Sequence, residues 1–335
     1  MKIKHLFPIV GLAFVLAGAG CNKAGKLSEH SKFKPPTGPV EFKLKWPPGE
    51  RVVQDMDVKT KTEIAVPGQP APLQQDMTMG QKYALTVLKE TPDGGHEVEM
   101  EFLSARMEMA MGGKSMINYD STKKSPEDGK NPVAGMFGKI IGSKIQFFMD
   151  SSNNVERIEG VEEMMNRLSA GGSAAALAPL KSMFSEGYFK QIMSSSRFLP
   201  PKAVSPGDSW PVQLEFPMAA LGTIVLDYNF TFQGWELHGT RNCARLEFQG
   251  SVKTKPDATP NPTGMSMEIQ NGTTSGVSWF DPELGITIDT AMNQDMTVNI
   301  TLPKNPRAAP GAPAQPQKMT SQMNQVIDIK LDSVK

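Results

Sequence analysis

The residues able to do chemistry are few, and their spacing is poor. Two cysteines, Cys21 and Cys243, and four histidines, His5, His30, His96 and His238, occur in 335 residues. No histidine pair has the H-x-x-x-H spacing that sets two imidazoles on one helix face around zinc, and no G-x-S-x-G elbow presents a serine nucleophile. His96 follows "PDGG" and His238 lies in "ELHGT", so both are expected as solvated turn residues. Asp150, Ser152 and Asn154 place oxygens at alternate positions, as a calcium loop does. Val155 then stands where that loop needs glycine, and Val161 where it needs an acid, so a hairpin turn is the better reading. Gly20, Gly25 and Lys26 give G-x-x-x-x-G-K, but a phosphate loop needs a strand before it and a helix after it, and neither is expected here.

Methionine is the compositional oddity, at 22 residues. Met107, Met109, Met111 and Met116 crowd one short stretch, and soft thioethers could bind Cu(I). No histidine or cysteine stands near to complete a site, so the first three are expected on the inward face of a strand. Met77, Met79, Met100, Met292 and Met296 also fall in strand-like runs. Flexible, polarizable side chains of this kind suit an adaptable apolar cavity. Trp46, Trp210, Trp235 and Trp279 are scattered and expected as core anchors rather than a sugar platform. Glu99 with Glu101, and Glu162 with Glu163, lie on presumptive solvent faces. Cys243 reads as a passive thiol. No catalytic residue, cofactor or metal site is expected.

The first twenty residues carry a stronger signal. Lys2, Lys4 and His5 precede an apolar run from Leu6 to Gly20 that is too short to cross about 30 Å of hydrocarbon. A basic start, a short apolar middle and a small-residue end describe a secretory signal. Cys21 directly after Gly18-Ala19-Gly20 resembles the lipobox of bacterial lipoproteins, although Gly18 stands where that family usually has leucine. The resemblance implies cleavage before Cys21, its diacylation, and acylation of the new amino group. Lys2 and Lys4 would leave with the signal, so a neutral chain becomes slightly acidic and the acyl chains alone would hold the membrane. Asn22 is not the aspartate that retains enteric lipoproteins in the inner membrane, so outer-membrane residence is expected.

The remainder reads as strands. In "EFKLKW", "HEVEMEF", "CARLEF" and "IDIKLD" apolar and charged residues alternate, the period of half-buried antiparallel strands. Glycine (30) and proline (27) favour turns over long helices. Proline-rich stretches at 66–74, 255–264 and 303–317 each separate two such runs and are expected at hairpin tips. The exception is 160–195, where Val161, Met164, Met165 and Leu168 form a helix stripe and Leu177, Leu180, Phe184 and Tyr188 a second, interrupted near Gly187. Equal Lys plus Arg and Asp plus Glu counts, 35 each, argue against nucleic acid.

The two sides of that insert look alike. "PGER" (48–51) is echoed by "PGDS" (206–209), "EVEMEF" (97–102) by "CARLEF" (243–248), and "FFMDSSNNV" (147–155) by "SWFDPELGI" (278–286), with Tyr83 matching Tyr228. "LPPKAVSPGDSW", a β-rich body and a lipobox together resemble an uncharacterised family of bacterial lipoproteins with a domain of unknown function. That resemblance implies a class and no activity.

The expected organisation is a signal peptide (1–20), a lipidated tether (21–39), an N-terminal β half (40–159), a helical insert (160–198) and a C-terminal β half (199–335). The fold class is mainly β, antiparallel, in two related curved-sheet or half-barrel-like halves. The expected function is that of a non-enzymatic, lipid-anchored cell-envelope protein binding an apolar ligand, such as a lipid, or a partner protein of the envelope. A structural or assembly lipoprotein without ligand is the alternative, and a hydrolase with an unrecognised site a remote one. Replacing Cys21 with Ser should abolish metabolic labelling by a fatty acid; persistent labelling, with cleavage before residue 21, would refute the lipobox.

Overall fold

The structure is a computed structural model that describes residues 31–66, 69–123, 132–169, 185–193, 198–218, 222–255, 266–302 and 317–335. The expected signal peptide, Cys21 and the first part of the tether lie outside these residues, as do the interiors of the three proline-rich stretches.

Strands run in chain order as β1 (Arg51–Ala65), β2 (Leu73–Glu90), β3 (His96–Met111), β4 (Lys114–Asp120), β5 (Lys144–Met149), β6 (Val155–Glu159), β7 (Ser209–Met218), β8 (Gly222–His238), β9 (Arg241–Lys255), β10 (Ser266–Asp281), β11 (Ile286–Leu302) and β12 (Gln317–Val334). All join one antiparallel sheet in the order β6-β5-β3-β2-β1-β12-β11-β10-β9-β8-β7, with β4 beside the far half of β3. The mainly β, antiparallel expectation holds. The halves are not separate sheets, because β1 and β12 pair along fourteen positions from Val52↔Val334 to Ala65↔Thr320. The path ends at β6 and β7, which do not pair, so no barrel closes.

The proline-rich connections gather at one end of the sheet, together with the β3–β4 turn at Gly112–Gly113, and the β2–β3, β8–β9 and β10–β11 turns lie at the other. The stretches at 66–74, 255–264 and 303–317 join the paired strands β1–β2, β9–β10 and β11–β12. The sheet curls strongly about its apolar face. Leu85 of β2 and Phe230 of β8, six strands apart, line the same cavity of about 60 Å³, whereas six steps at about 4.8 Å would separate them by roughly 29 Å in a flat sheet. Glycines mark the tightest part. A Cβ on Gly250 would lie 2.1 Å from the Asp227 carbonyl oxygen, and one on Gly272 would lie 2.4 Å from that of Val252.

The pairing of β7–β10 repeats that of β1, β2, β3 and β5. Arg51 faces Thr86 and Gln54 faces Tyr83; Ser209 faces Thr231 and Val212 faces Tyr228. Gly49 (φ 86°) donates to the Val87 carbonyl at 2.8 Å, and Gly207 (φ 95°) to that of Phe232 at 2.7 Å. Val87 and Phe232 donate back to Glu50 and Asp208 at 2.9 and 3.0 Å. A bulge then follows in both, between Val87 and Lys89 and between Phe232 and Gly234. Val98 faces Phe147 as Leu246 faces Ser278.

This register corrects one alignment. Tyr83 faces Phe102 while Tyr228 faces Gly250, so Val98, Met100 and Phe102 correspond to Leu246, Phe248 and Gly250. The sequence match is displaced by two residues because a two-residue slip leaves a period-two pattern unchanged. The turns at Asp150 and Asp281 return at Val155 and Ile286, but the closing pairs Met149↔Val155 and Asp281↔Ile286 enclose five and four residues, and the left-handed residue is Asn153 (φ 62°) in one and Gly285 (φ 70°) in the other.

Three helices occur among the described residues: α1 (Pro132–Ile140), α2 (Val161–Ser169) and α3 (Glu186–Met193). Glu162 and Glu163 favour the α2 N-terminus and Arg167 its last turn. Val161, Met164 and Leu168 bury its stripe against the first-half strands, with Phe147 and Ile145. So α2 follows the first half in sequence and packs onto that half in space. Helix α3 runs through Gly187, where an interruption was expected, and Leu177, Leu180 and Phe184 lie outside the described residues. Helix α1 was not expected: Gly135 and Gly138 weaken its helical signal, although Pro132 suits a first helical position. "EFKLKW" forms no ladder. It is an extended segment preceded by an isolated bridge, Val40↔Val204, and tied by Lys45 donating to the Gly285 carbonyl at 3.1 Å, yet its alternation holds and Phe42 is buried. From Ser31 onward the expected tether is bound, with Ser31 donating to Glu283 at 2.9 Å and Phe33 against Trp235.

Phe102 and Phe248 are both 3% exposed. Each Phe→Ala should lower stability by about 3–5 kcal/mol, read as a lower urea midpoint at unchanged slope; a loss below 1 kcal/mol at either position would contradict its packing.

Candidate functional site

The expected chemical residues do not converge. Cys243 is fully buried, and burial, reinforced by the Asp281 carboxylate, pushes its thiol far above the usual range. A thiol held protonated is a poor nucleophile. His96 opens β3 instead of sitting in a turn. His238 is not a solvated turn residue either: it ends β8, stacks on Trp279 at 4.3 Å, and its Nε2 lies 2.7 Å from the buried Asp289 carboxylate. Trp279 in turn donates to Glu236. Among the described residues His238 is joined to Asp289 and stacked on Trp279 rather than bonded to a hydroxyl or thiol.

Asp150 is committed to its turn. Its Oδ1 accepts from the Ser152 and Asn154 amides, both at 2.8 Å, and its Oδ2 from the Asn154 carboxamide at 2.9 Å. That carboxamide, then the backbone donors, hold its pKa below the usual carboxylate value. Among the described residues no cluster of three His, Cys, Asp or Glu could hold a metal. Glu99 and Glu101 pair with Lys144 and Arg51 at 2.7 and 2.8 Å, and Glu162 and Glu163 are exposed. Trp210 is buried and the other three tryptophans are half-buried, so no aromatic platform forms.

What does converge is the inner face of the sheet. Met107 and Met109 point inward, as expected; Met111 is half-buried and Met116 exposed. Across β3, β2, β12 and β11 the inward row continues through Met77, Met79, Met323, Met319, Met296 and Met292, all buried. No lysine, arginine, aspartate or glutamate occupies an inward position of this wall among the described residues. Phe137 of α1 packs against the core of β7–β12 with β1, against the cluster under α2, and against the methionine cluster of β2–β4. It is therefore a plug within the concavity.

Polar groups on the inner face divide by end. Near the β2–β3, β8–β9 and β10–β11 turns two pairs satisfy each other, Tyr83 donating to Gln54 at 2.7 Å and the Ser278 and Thr290 hydroxyls lying 2.8 Å apart, while His96 Nδ1 is buried without a partner. Nearer the proline-rich end lies a row that sequence reading missed. Tyr228, Gly250, Thr274, Gln294, Gln325 and Thr60 face one another in turn across six neighbouring strands. Gln325 donates to Thr60 at 3.0 Å, but its carboxamide oxygen, that of Gln294, and the hydroxyls of Tyr228 and Thr274 have no hydrogen-bond partner. Burial drives the Tyr228 phenol well above its usual pKa; Thr274 and Gln294 are near enough to oppose this slightly without reaching bonding geometry.

An open antiparallel sheet curled around an uncharged, methionine-rich face defines the class. Residues 93–287, more than half of the chain, match the model of a family of unknown function, DUF6263, and the chain belongs to that family. No curated protein matches it. Among solved structures the chain is similar to lipovitellin, studied for its lipid–protein interactions, with a TM-score of 0.44 and 8% identity over 87% of this chain and 26% of that one. It thus spans about a quarter of lipovitellin. It is also similar to an exported protein with a YmcC-like fold from Bacteroides fragilis NCTC 9343 (TM-score 0.25, 11% identity, 88% of this chain and 100% of that one). A third is an outer membrane lipoprotein-sorting protein domain from Vibrio parahaemolyticus (TM-score 0.13, 10% identity, 84% of each chain). At these scores the likenesses carry no weight in the functional argument.

The burial of Cys243 has a direct readout. Ellman's reagent should leave it unmodified in the native Cys21→Ser protein and titrate about one thiol in denaturant; rapid native modification would show that β9 is open.

Proposed function

We propose that this chain is a lipid-anchored protein of the bacterial cell envelope, held by acyl chains on Cys21, that shelters an apolar ligand against the inner face of its sheet and does no chemistry on it. The observation that carries the reading is the inner wall itself. It is uncharged over every described strand that lines the concavity, and eight of its buried side chains are Met77, Met79, Met107, Met109, Met292, Met296, Met319 and Met323. Thioether side chains have several rotatable bonds and fill irregular volumes, so such a wall can reshape around a ligand more readily than one of β-branched residues. The commitment of His238 to Asp289 and the burial of Cys243 support a binding role over catalysis. No helix of the described residues is long and apolar enough to cross a membrane; export and an outer-membrane location rest on the apolar leader and on Cys21 followed by Asn22.

Full-length protein extracted from membranes in mild detergent and examined by native mass spectrometry tests this. The expected result is a protein mass carrying a lipid adduct that organic extraction removes. Bare protein in stoichiometric complex with another polypeptide would overturn the ligand and favour a structural or assembly lipoprotein.

A further inference from the structure

The wall is apolar, but not uniformly. Six side chains on the proline-rich half of the inner face carry a polar atom that is buried and unpaired: Thr62, Tyr228, Thr274, Gln294, Ser321 and Gln325, each at most 3% exposed. Four of these atoms are hydroxyls. The other two are carboxamide oxygens, which only accept. On the opposite half the pairs Tyr83–Gln54 and Ser278–Thr290 are complete and His96 Nδ1 is also buried without a partner, so the deficit is concentrated in this row without being confined to it. Buried polar atoms in folded proteins nearly always find a partner, from the chain, a ligand or ordered water. From Tyr228 to Thr60 the row crosses five inter-strand steps of about 4.8 Å, roughly 24 Å in all, with methionines on either side at Met292, Met296 and Met323.

The chemistry of the deficit limits what can fill it. No charged side chain faces the row, so a carboxylate or phosphate would be left unpaired in a low-dielectric site. A pure hydrocarbon would leave all six atoms unsatisfied. An ester alone supplies only acceptors, and the two carboxamide oxygens require donors. Hydroxyl groups supply both. We infer that this half of the inner face is a recognition site for an uncharged, hydroxyl-bearing acyl lipid, its chain against the methionines and its hydroxyls on the row of Tyr228, Thr274, Gln294 and Gln325. The inference rests on the ligand-holding reading above and adds the ligand's class.

The test is displacement of N-phenyl-1-naphthylamine fluorescence from the purified chain by three ten-carbon probes: 1-decanoylglycerol, methyl decanoate and decanoate. The first should displace the dye at a concentration about tenfold below the second, the size expected of one or two net hydrogen bonds, and decanoate should be weakest. The triple variant Tyr228→Phe, Thr274→Val and Gln294→Met removes three of the unpaired atoms without breaking a hydrogen bond between side-chain oxygens and nitrogens. It should reduce the preference below about threefold and leave methyl decanoate unchanged. The wild-type comparison stands alone should the variant not fold. Equal displacement by the two neutral probes would mean that the row holds only water and would overturn the inference while leaving an apolar ligand in place. Strongest displacement by decanoate would overturn it too, and a dye that never binds would overturn the ligand-holding reading itself.

Discussion

Period-two alternation governs this molecule, because it keeps charge off the inner face of a twelve-stranded sheet among the described residues. The outer face settles charges in water through cross-strand pairs such as Lys82 with Asp55 and Asp332, or Lys253 with Asp227, while Arg241 and Asp281 pair in a buried position. Such exposed pairs contribute little stability, so the fold depends on the other face. That face must be covered, and the three described helices span only 26 residues between them. The sheet therefore covers itself. Curling brings β2 within reach of β8, and the glycines at 250 and 272 permit it where a side chain would meet the neighbouring strand. The aromatic contacts concentrate where the curl is tightest: Trp210, Tyr228, Phe230 and Phe248 form a chain of rings at 5.0–5.9 Å.

The two halves share a register and differ in how they end, and the difference decides the architecture. After Asp281 the chain returns as a seventeen-residue strand and continues into β12, which pairs with β1 and welds the halves. After Asp150 it returns for five residues only, turns at Gly160 (φ 89°) and leaves the sheet as α2. The first half is thus capped by helix where the second is extended by strand. Its free edge, β6, is short, and the opposite edge, β7, carries Pro211 and Pro217, which cannot donate to an incoming strand. Both devices keep an open sheet from extending into a neighbouring molecule.

Much of this was legible in the residues. Alternation located the strands, the positions of the proline-rich tips were correct, and the Asp150 turn followed from its Asx chemistry. What was missed has physical causes. A slip of two positions between Phe102 and Phe248 is invisible to a period of two. Helix α1 carries two glycines in nine residues, and its stability comes from Phe137 packed inside the curl. "EFKLKW" has the pattern of a strand because its inward side chains pack as a strand's would, although it pairs only at isolated points, Val40 just before it with Val204 and Lys45 with Gly285. His238 looked solvated because Asp289 is fifty-one residues away and only the β10–β11 hairpin brings it near. The polar row was hidden for the same reason. Thr60, Tyr228, Thr274, Gln294 and Gln325 belong to five strands, and each alone reads as an ordinary interruption. The usable signal lay in phase: Ser321 and Gln325 keep step with Met319, Met323 and Ile327, so they had to share the buried face.

That row sets the inner face against its own stability. Leaving a buried donor or acceptor unpaired costs about 1–3 kcal/mol, and six such atoms together approach the whole stability of an ordinary domain, about 5–15 kcal/mol. Phenylalanine, valine and methionine would fill the same volumes at Tyr228, Thr274 and Gln294 without that penalty. A wall selected only for packing would have no reason to place these groups in register across neighbouring strands, and the paired Ser278–Thr290 and Gln54–Tyr83 groups show that this sheet can satisfy inward polar atoms internally. Unpaired atoms aligned across neighbouring strands in one half, against two internal pairs and a single orphan at His96 in the other, are what a surface shaped for an external hydrogen-bonding partner requires, because groups that satisfy one another are not free to recognise anything else.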